Sequence, residues 1–116
     1  MLTNTLNDNI KGTLRNAYKK TKAPLWKLLE NKIKSSRSHR SEVNINKLDH
    51  ITKDGEIVVI PGKVLGTGIL NHKLTVTSFS ISVTAMKKIL KAGGKVIPLD
   101  EFVNQHPNGQ GVRIIG

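Results

Sequence analysis

Apolar side chains recur every third or fourth position over the first third of the chain, then crowd into short β-branched runs separated by turn residues. Leu6, Ile10, Leu14 and Ala17 form one such stripe and predict an amphipathic helix, with Thr5 placed to cap it and Asp8 three residues on. Lys11, Arg15, Lys19 and Lys22 repeat at the same spacing on a neighbouring face, so this helix offers one side to a core and another to a partner. Pro24 suits the first turn of a second helix, with Leu25, Leu28, Leu29 and Ile33 as its stripe and Lys27 and Lys34 on its polar side. The segment Ser35–Ser41 has no apolar residue and no period, and reads as a loop. Asn44 can cap a short helix carrying Ile45, Leu48 and Ile51.

Beyond the Asp54–Gly55 turn the period shortens. Glu56–Ile60 is a strand-length β-branched run that Pro61–Gly62 is expected to end, and Leu74–Phe79 reads as a second strand. Ser82 caps a helix with Val83, Met86, Ile89 and Leu90 expected inward and Lys87, Lys88 and Lys91 outward, stopped by Gly93–Gly94. Lys95–Ile97 is a short strand. Pro98 precedes a short helix from Leu99, whose first turn holds Asp100 and Glu101 on the favourable side of its dipole. A turn at Pro107–Gly109 leads into a last strand, Val112–Ile115. Strands alternating with helices predict an α/β domain preceded by a basic helical N-terminal region. At 116 residues one domain is expected, with 1–47 as the basic helical arm and contact loop and 48–116 as the α/β body.

Charge changes the picture from fold to partner. The chain carries a formal net charge of +11. Residues 1–47 hold eleven Lys and Arg against Asp8, Glu30 and Glu42, a balance of +8, so the field is lopsided. Such a field attracts a polyanion, and nucleic acid is the commonest, because neutralised phosphates release counterions. Aromatic residues are scarce: Tyr18, Trp26, Phe79 and Phe102. That disfavours a single-strand binder that stacks bases on rings, and favours phosphate contact and shape fitting.

Candidate chemistry is thin. With no cysteine there is no disulfide, thiolate metal site or thiol nucleophile. Leu2–Ile10 is polar and does not resemble a signal peptide, and the apolar runs are far too short to span a bilayer, so a soluble intracellular protein is expected. His39, His50, His72 and His106 show no metal-site spacing, and Asp100 with Glu101 form the one adjacent carboxylate pair. No catalytic constellation, cofactor or metal is expected. Gly62, Gly66 and Gly68 after a strand suggest a nucleotide loop, but Lys63 follows the first glycine instead of closing the motif before Ser or Thr. A tight bend that glycine alone can follow explains them better, with Lys63 as a phosphate contact projecting from it. The lysines of the Ser82-capped helix read equally well as a solvated face or as RNA contacts.

Two segments are more specific. Arg40–Leu48 and Val58–Gly68 (Val-Val-Ile-Pro-Gly-Lys-Val-Leu-Gly-Thr-Gly), together with the closing Gly111–Ile115, resemble the large-subunit ribosomal protein family L eighteen-e of archaea and eukaryotes. That family is related to the C-terminal domain of bacterial L fifteen. The similarity covers essentially the whole chain in order, and the short length with a stop at Gly116 resembles the archaeal type. The resemblance implies an irregular layered ββα superhelix for the second half. It also implies a non-catalytic constituent of the cytoplasmic ribosome, with large-subunit ribosomal RNA and neighbouring ribosomal proteins as partners. No membrane, small-molecule substrate or homo-oligomer is implied. One departure stands out, since the loop after the second helix is serine-rich with Arg37 and Arg40 as its arginines.

The candidate RNA contacts are Lys11, Arg15, Lys19, Lys20, Lys22, Lys27, Lys34, Arg37, His39, Arg40, Lys63 and Arg113. The alternative readings are a small nucleotide-dependent enzyme using the Gly62–Gly68 bend, and a free-standing DNA-binding regulator.

Overall fold

The computed structural model describes residues 6–34 and 41–115; the side chains of residues 6–9, 11, 32–34 and 41 fall outside that description. In chain order the elements are α1 (Leu6–Thr21), α2 (Pro24–Lys34), β1 (Ser41–Asn44), α3 (Ile45–Ile51), β2 (Glu56–Leu65) and β3 (Leu74–Ile81). They are followed by α4 (Val83–Lys91), β4 (Lys95–Val96), α5 (Leu99–Gln105) and β5 (Val112–Ile114). The fold is α/β. Every strand pairing is parallel. β3 lies along one edge of β2, and β4 continues the sheet beyond it. β2's other edge is shared: β5 pairs with Ile57–Val59, and β1 pairs with Gly62–Leu65.

A parallel sheet covered on both faces needs apolar residues on both sides of its strands, and β2 supplies them. Val59 points into a cluster with Ile10, Leu14 and Ala17 of α1, Trp26 and Leu29 of α2, and Phe102 of α5. Val58, Ile60 and Val64 point into a second cluster with Ile45 and Leu48 of α3 and Ala85 and Ile89 of α4. The molecule is therefore three layers, with α1, α2 and α5 on one face of the sheet and α3 and α4 on the other. Trp26, fully buried, fastens the first layer: its Nε1–H donates to the Pro107 carbonyl at 2.7 Å, and its ring meets Phe102 edge-on at 6.4 Å.

β2 and β3 run parallel but are joined by only 66–73, with no crossover helix. This short return followed by α4 and β4 is a ββα winding. It is held from below by α3 and its C-terminal flank. Asn71 donates its backbone N–H (2.8 Å) and its Nδ2 (3.1 Å) to Asp49, and the Lys73 N–H donates to Asp54 at 2.9 Å.

Several expectations change. The strand from Glu56 does not end at Pro61–Gly62 but runs on to Leu65. Pro61 falls where the β2–β3 register slips between Ile60 and Lys63, so its missing N–H interrupts an irregular stretch of ladder rather than a regular one. Residues 41–44, of which Ser41 was expected in a loop and Asn44 at a cap, form β1, and Asn44 caps α3 as expected by accepting from the Lys47 N–H. In α4, Ile89 is buried and Met86 packs partly buried as expected, but Val83 and Leu90 are about half exposed and Ala85 is buried in their place. Leu28 and Ile51 also face outward, since Trp26 and Leu29 carry the α2 contact and Ile45 and Leu48 that of α3. The proposed cap Thr5 and the loop residues Arg37, His39 and Arg40 lie outside the described residues.

Candidate nucleic-acid interface

α1 and α2 meet at a sharp corner, Thr21–Ala23. The Thr21 hydroxyl donates to the Ala17 carbonyl and accepts from the Ala23 N–H, and the Lys22 N–H closes on the Tyr18 carbonyl at 2.7 Å. Lys22 ends α1 in the left-handed region at φ 60, a position that glycine usually fills. For a side chain bearing Cβ this conformation costs roughly 1–2 kcal/mol. The corner thus keeps a lysine where a glycine would be less strained.

Cations gather here. Lys19, Lys20, Lys22 and Lys27 are exposed. Nζ of Lys22 stands 5.5 Å from the centroid of the Tyr18 ring and Nζ of Lys27 5.8 Å, so one ring attracts two ammonium groups. Arg15 reaches the buried carboxylate of Glu30 at 3.2 Å, and Lys27 stands 4.0 Å from the same group. Two of the cations of this region, Arg15 and Lys27, thus meet at Glu30, while Lys19, Lys20 and Lys22 lie exposed around the corner.

The other expected contacts are scattered. The backbones of Lys11 and Lys34 belong to α1 and α2, but their side chains are outside the description, as are Arg37, His39 and Arg40 altogether. Lys63 is exposed within β2, opposite Glu42 of β1, and so projects from a strand and not from a bend. Arg113 is occupied by the protein itself: its Nη1 donates to the Ile51 carbonyl at 2.8 Å and stands 3.3 Å from both oxygens of Glu56.

The glycine segment differs most from its sequence reading. Gly62 is inside β2, and Gly66 does not have a positive φ. A Cβ on Gly66 would stand 2.6 Å from Cγ2 of Thr84, and one on Gly68 (φ 109) would stand 2.5 Å from the backbone nitrogen of Asn46. The space that the glycines leave open is taken by α3 and α4, not offered to an outside chain. Three successive carbonyls are each claimed: Lys88 Nζ donates to Gly66 at 2.5 Å and Gly68 at 2.6 Å, and the Asn46 N–H donates to Thr67 at 2.9 Å. Lys88, expected in solvent, is a partly buried clasp. The carbonyls of this loop are thus held by the protein's own donors, which ties it to α3 and α4.

One cluster imitates a nucleophilic triad. The Thr52 hydroxyl lies 2.7 Å from His72 Nε2, and His72 Nδ1 lies 3.6 Å from Asp49. The roles do not follow. Thr52 is buried and gives its proton to the Leu48 carbonyl, so it accepts from His72. Asp49 already receives two bonds from Asn71, and the Asn71 N–H first among them holds its carboxyl below the ordinary carboxylate value. The cluster pins the 66–73 return to α3. Among the described residues no group of three His, Asp or Glu could hold a metal ion. No helix among them is long and apolar enough to cross a membrane.

Residues 12–116 match the family model described as "Ribosomal protein 60S L18 and 50S L18e". The chain belongs to this family. It is 39% identical over 102 residues to the large ribosomal subunit protein eL18 of Pyrobaculum aerophilum, covering 88% of this chain and 84% of that one. The same-named protein of Methanosphaerula palustris is 36% identical over 103 residues, or 89% and 85% of the two chains. That of Methanococcus maripaludis is 35% identical over 115 residues, or 99% and 96%. Family membership makes this a ribosomal protein, of a class that is not enzymatic, and it bears out the resemblance read from Arg40–Leu48 and Val58–Gly68.

Tyr18, the ring against which Lys22 and Lys27 stand, is legible in the sequence only as one of four aromatic residues. Its position three residues before Thr21 gives no signal of that contact until the corner is folded.

Proposed function

We propose that the protein is a structural constituent of the large ribosomal subunit, in the cytoplasm, that holds large-subunit ribosomal RNA through phosphate contacts at the α1–α2 corner. The observation that carries this reading is the corner itself, where Arg15 and Lys27 stand at Glu30, Lys22 and Lys27 at the Tyr18 ring, and Lys19 and Lys20 lie exposed in the last turn of α1. A cationic corner beside a single ordered ring suits a charged backbone better than a stacked base. Neighbouring ribosomal proteins are further partners on this reading, and the chain works as one domain.

The test is RNA binding against salt. If about six to ten phosphates are neutralised, affinity falls by roughly 10³–10⁵ between about 50 and 200 mM salt. Replacing Lys19, Lys20 and Lys22 together by alanine lowers the salt slope by about three. ATP and NAD leave the melting temperature where it was, since a ligand specific for the folded state would raise it. A flat salt dependence, or a triple variant that binds as the wild type does, sinks the proposal.

A further inference from the structure

α4 belongs to the layer on the far side of the sheet from the α1–α2 corner. Its sequence contains no carboxylate. Its outward stripe interleaves apolar and basic groups: Val83 is 54% exposed and Leu90 53%, with Lys87 and Lys91 exposed between and beside them. Among the described residues neither lysine meets a carboxylate within ion-pair distance, whereas Arg15, Lys27 and Arg113 each do. At the C-terminal end of the helix the Lys73 chain lies across Gly93, where an added Cβ would stand 3.2 Å from its Cε, and the exposed Lys95 follows in β4. Asp54, at the base of this turn, is engaged by the Lys73 backbone N–H. The simpler account is that basic groups here offset the helix dipole. It covers Lys91, in the last turn, but neither Lys87 one turn earlier nor two half-exposed aliphatic side chains in register with it. A surface of this kind fits the wide, shallow minor groove of duplex RNA, where aliphatic groups lie on riboses and lysines reach the flanking phosphates.

We propose that the outer face of α4 (Val83, Lys87, Leu90 and Lys91, with Lys73 and Lys95 beside its C-terminal turn) is a second RNA-binding surface, so that the protein bridges two duplex RNA segments across its sheet. The proposal rests on the corner being an RNA contact. Two RNA segments gripped from opposite layers are fixed relative to each other by a rigid spacer, which a single patch cannot achieve.

The experiment mixes full-length protein with two populations of a short RNA duplex of about 16 base pairs, enough to span two successive minor grooves, one carrying a donor dye and the other an acceptor. Wild-type protein brings the two together and gives sensitised emission. Lys87→Ala with Lys91→Ala and Lys95→Ala abolishes the emission while a complex with one duplex remains. Because Lys87 lies outside the last turn, Lys87→Glu alone tests the surface without touching the dipole, and it lowers the emission several-fold at an unchanged melting temperature. Bridging at the wild-type level by both variants overturns the proposal and leaves these lysines as a solvated face. Wild-type protein that binds one duplex and never two also overturns it, keeping the corner reading and leaving the α4 face to a protein neighbour. Failure to bind any duplex overturns the corner reading and this inference together.

Discussion

At the scale of single residues, burial without a partner is the clearest departure from what the sequence advertises. Thr77 sits mid-strand in β3 opposite Val59, is fully buried, and its hydroxyl meets no donor or acceptor. From sequence it belongs to an ordinary Thr-Val-Thr strand alternation, because β-branching suits a strand whether or not the hydroxyl is satisfied. An unpartnered buried hydroxyl costs about 1–3 kcal/mol, and valine keeps the shape without that penalty. Thr77→Val therefore stabilises the fold by about 1 kcal/mol, measured by denaturant titration at constant m-value. A loss of stability would mean that the hydroxyl has a partner after all. Trp26 shows the reverse case. It was legible only as one of four aromatics, since its bond to Pro107 spans 81 positions and leaves no local trace.

Among elements, local signals were read well and long-range ones were not. Asn44 and Ser82 cap their helices as their side chains suggest, accepting from Lys47 and Ala85. Pro24 opens α2 and Gly93 follows α4 in the left-handed region. Ile10, Leu14 and Ala17 of α1 and Ile45 and Leu48 of α3 are buried as their spacing suggests, but contacts with neighbours 20 or more positions away stayed hidden. Lys88 looked like one lysine of an outward trio, yet it reaches back to Gly66 and Gly68 across 22 and 20 positions. Gly66 and Gly68 were legible only as a tight bend, with no sign in the sequence that Thr84 and Asn46 lie against them. A partly buried ammonium donating to two carbonyls contributes about 1.5–3 kcal/mol. Lys88→Met is expected to lose that amount while keeping the aliphatic packing. Gly68→Ala loses more, because left-handed strain of roughly 1–2 kcal/mol adds to its overlap with Asn46. Thermal melts of both variants check the ordering. A harmless Lys88→Met would dissolve the clasp, and a harmless Gly68→Ala would place the α3 contact elsewhere.

For the molecule as a whole, the α/β class and the basic first third were legible, but the three-layer arrangement was not. Periodicity says which residues are apolar and not that α1 and α2 share a core with α5 from the far end of the chain. The same closure fixes how the fold responds to acid. Two carboxylates fasten distant segments: Asp49 ties α3 to Asn71, and Glu56 accepts from the Lys53 N–H and from Arg113 of β5. Both titrate below their ordinary values of 3.8 and 4.5, Asp49 chiefly through the Asn71 N–H and Glu56 chiefly through the Lys53 N–H, with burial opposing each. A depressed folded-state pKa means that the unfolded chain takes up protons first, so their stabilisation is complete above the unfolded values and drains away as pH falls. Losing negative charge from a chain already at +11 adds self-repulsion in the same direction. The melting temperature should therefore hold from neutral pH down to about 5 and drop through the carboxylate range. Asp49→Asn should start from a lower melting temperature and show a shallower acid decline, because it has lost one of the groups that titrate. Trp26 fluorescence, reporting α2 on one face, and far-UV circular dichroism should then give coincident acid transitions, as a chain that unfolds in one step must. Separate transitions would show that the α1–α2 layer leaves the sheet before the rest unfolds, and an unchanged acid profile in Asp49→Asn would remove this carboxylate from the account.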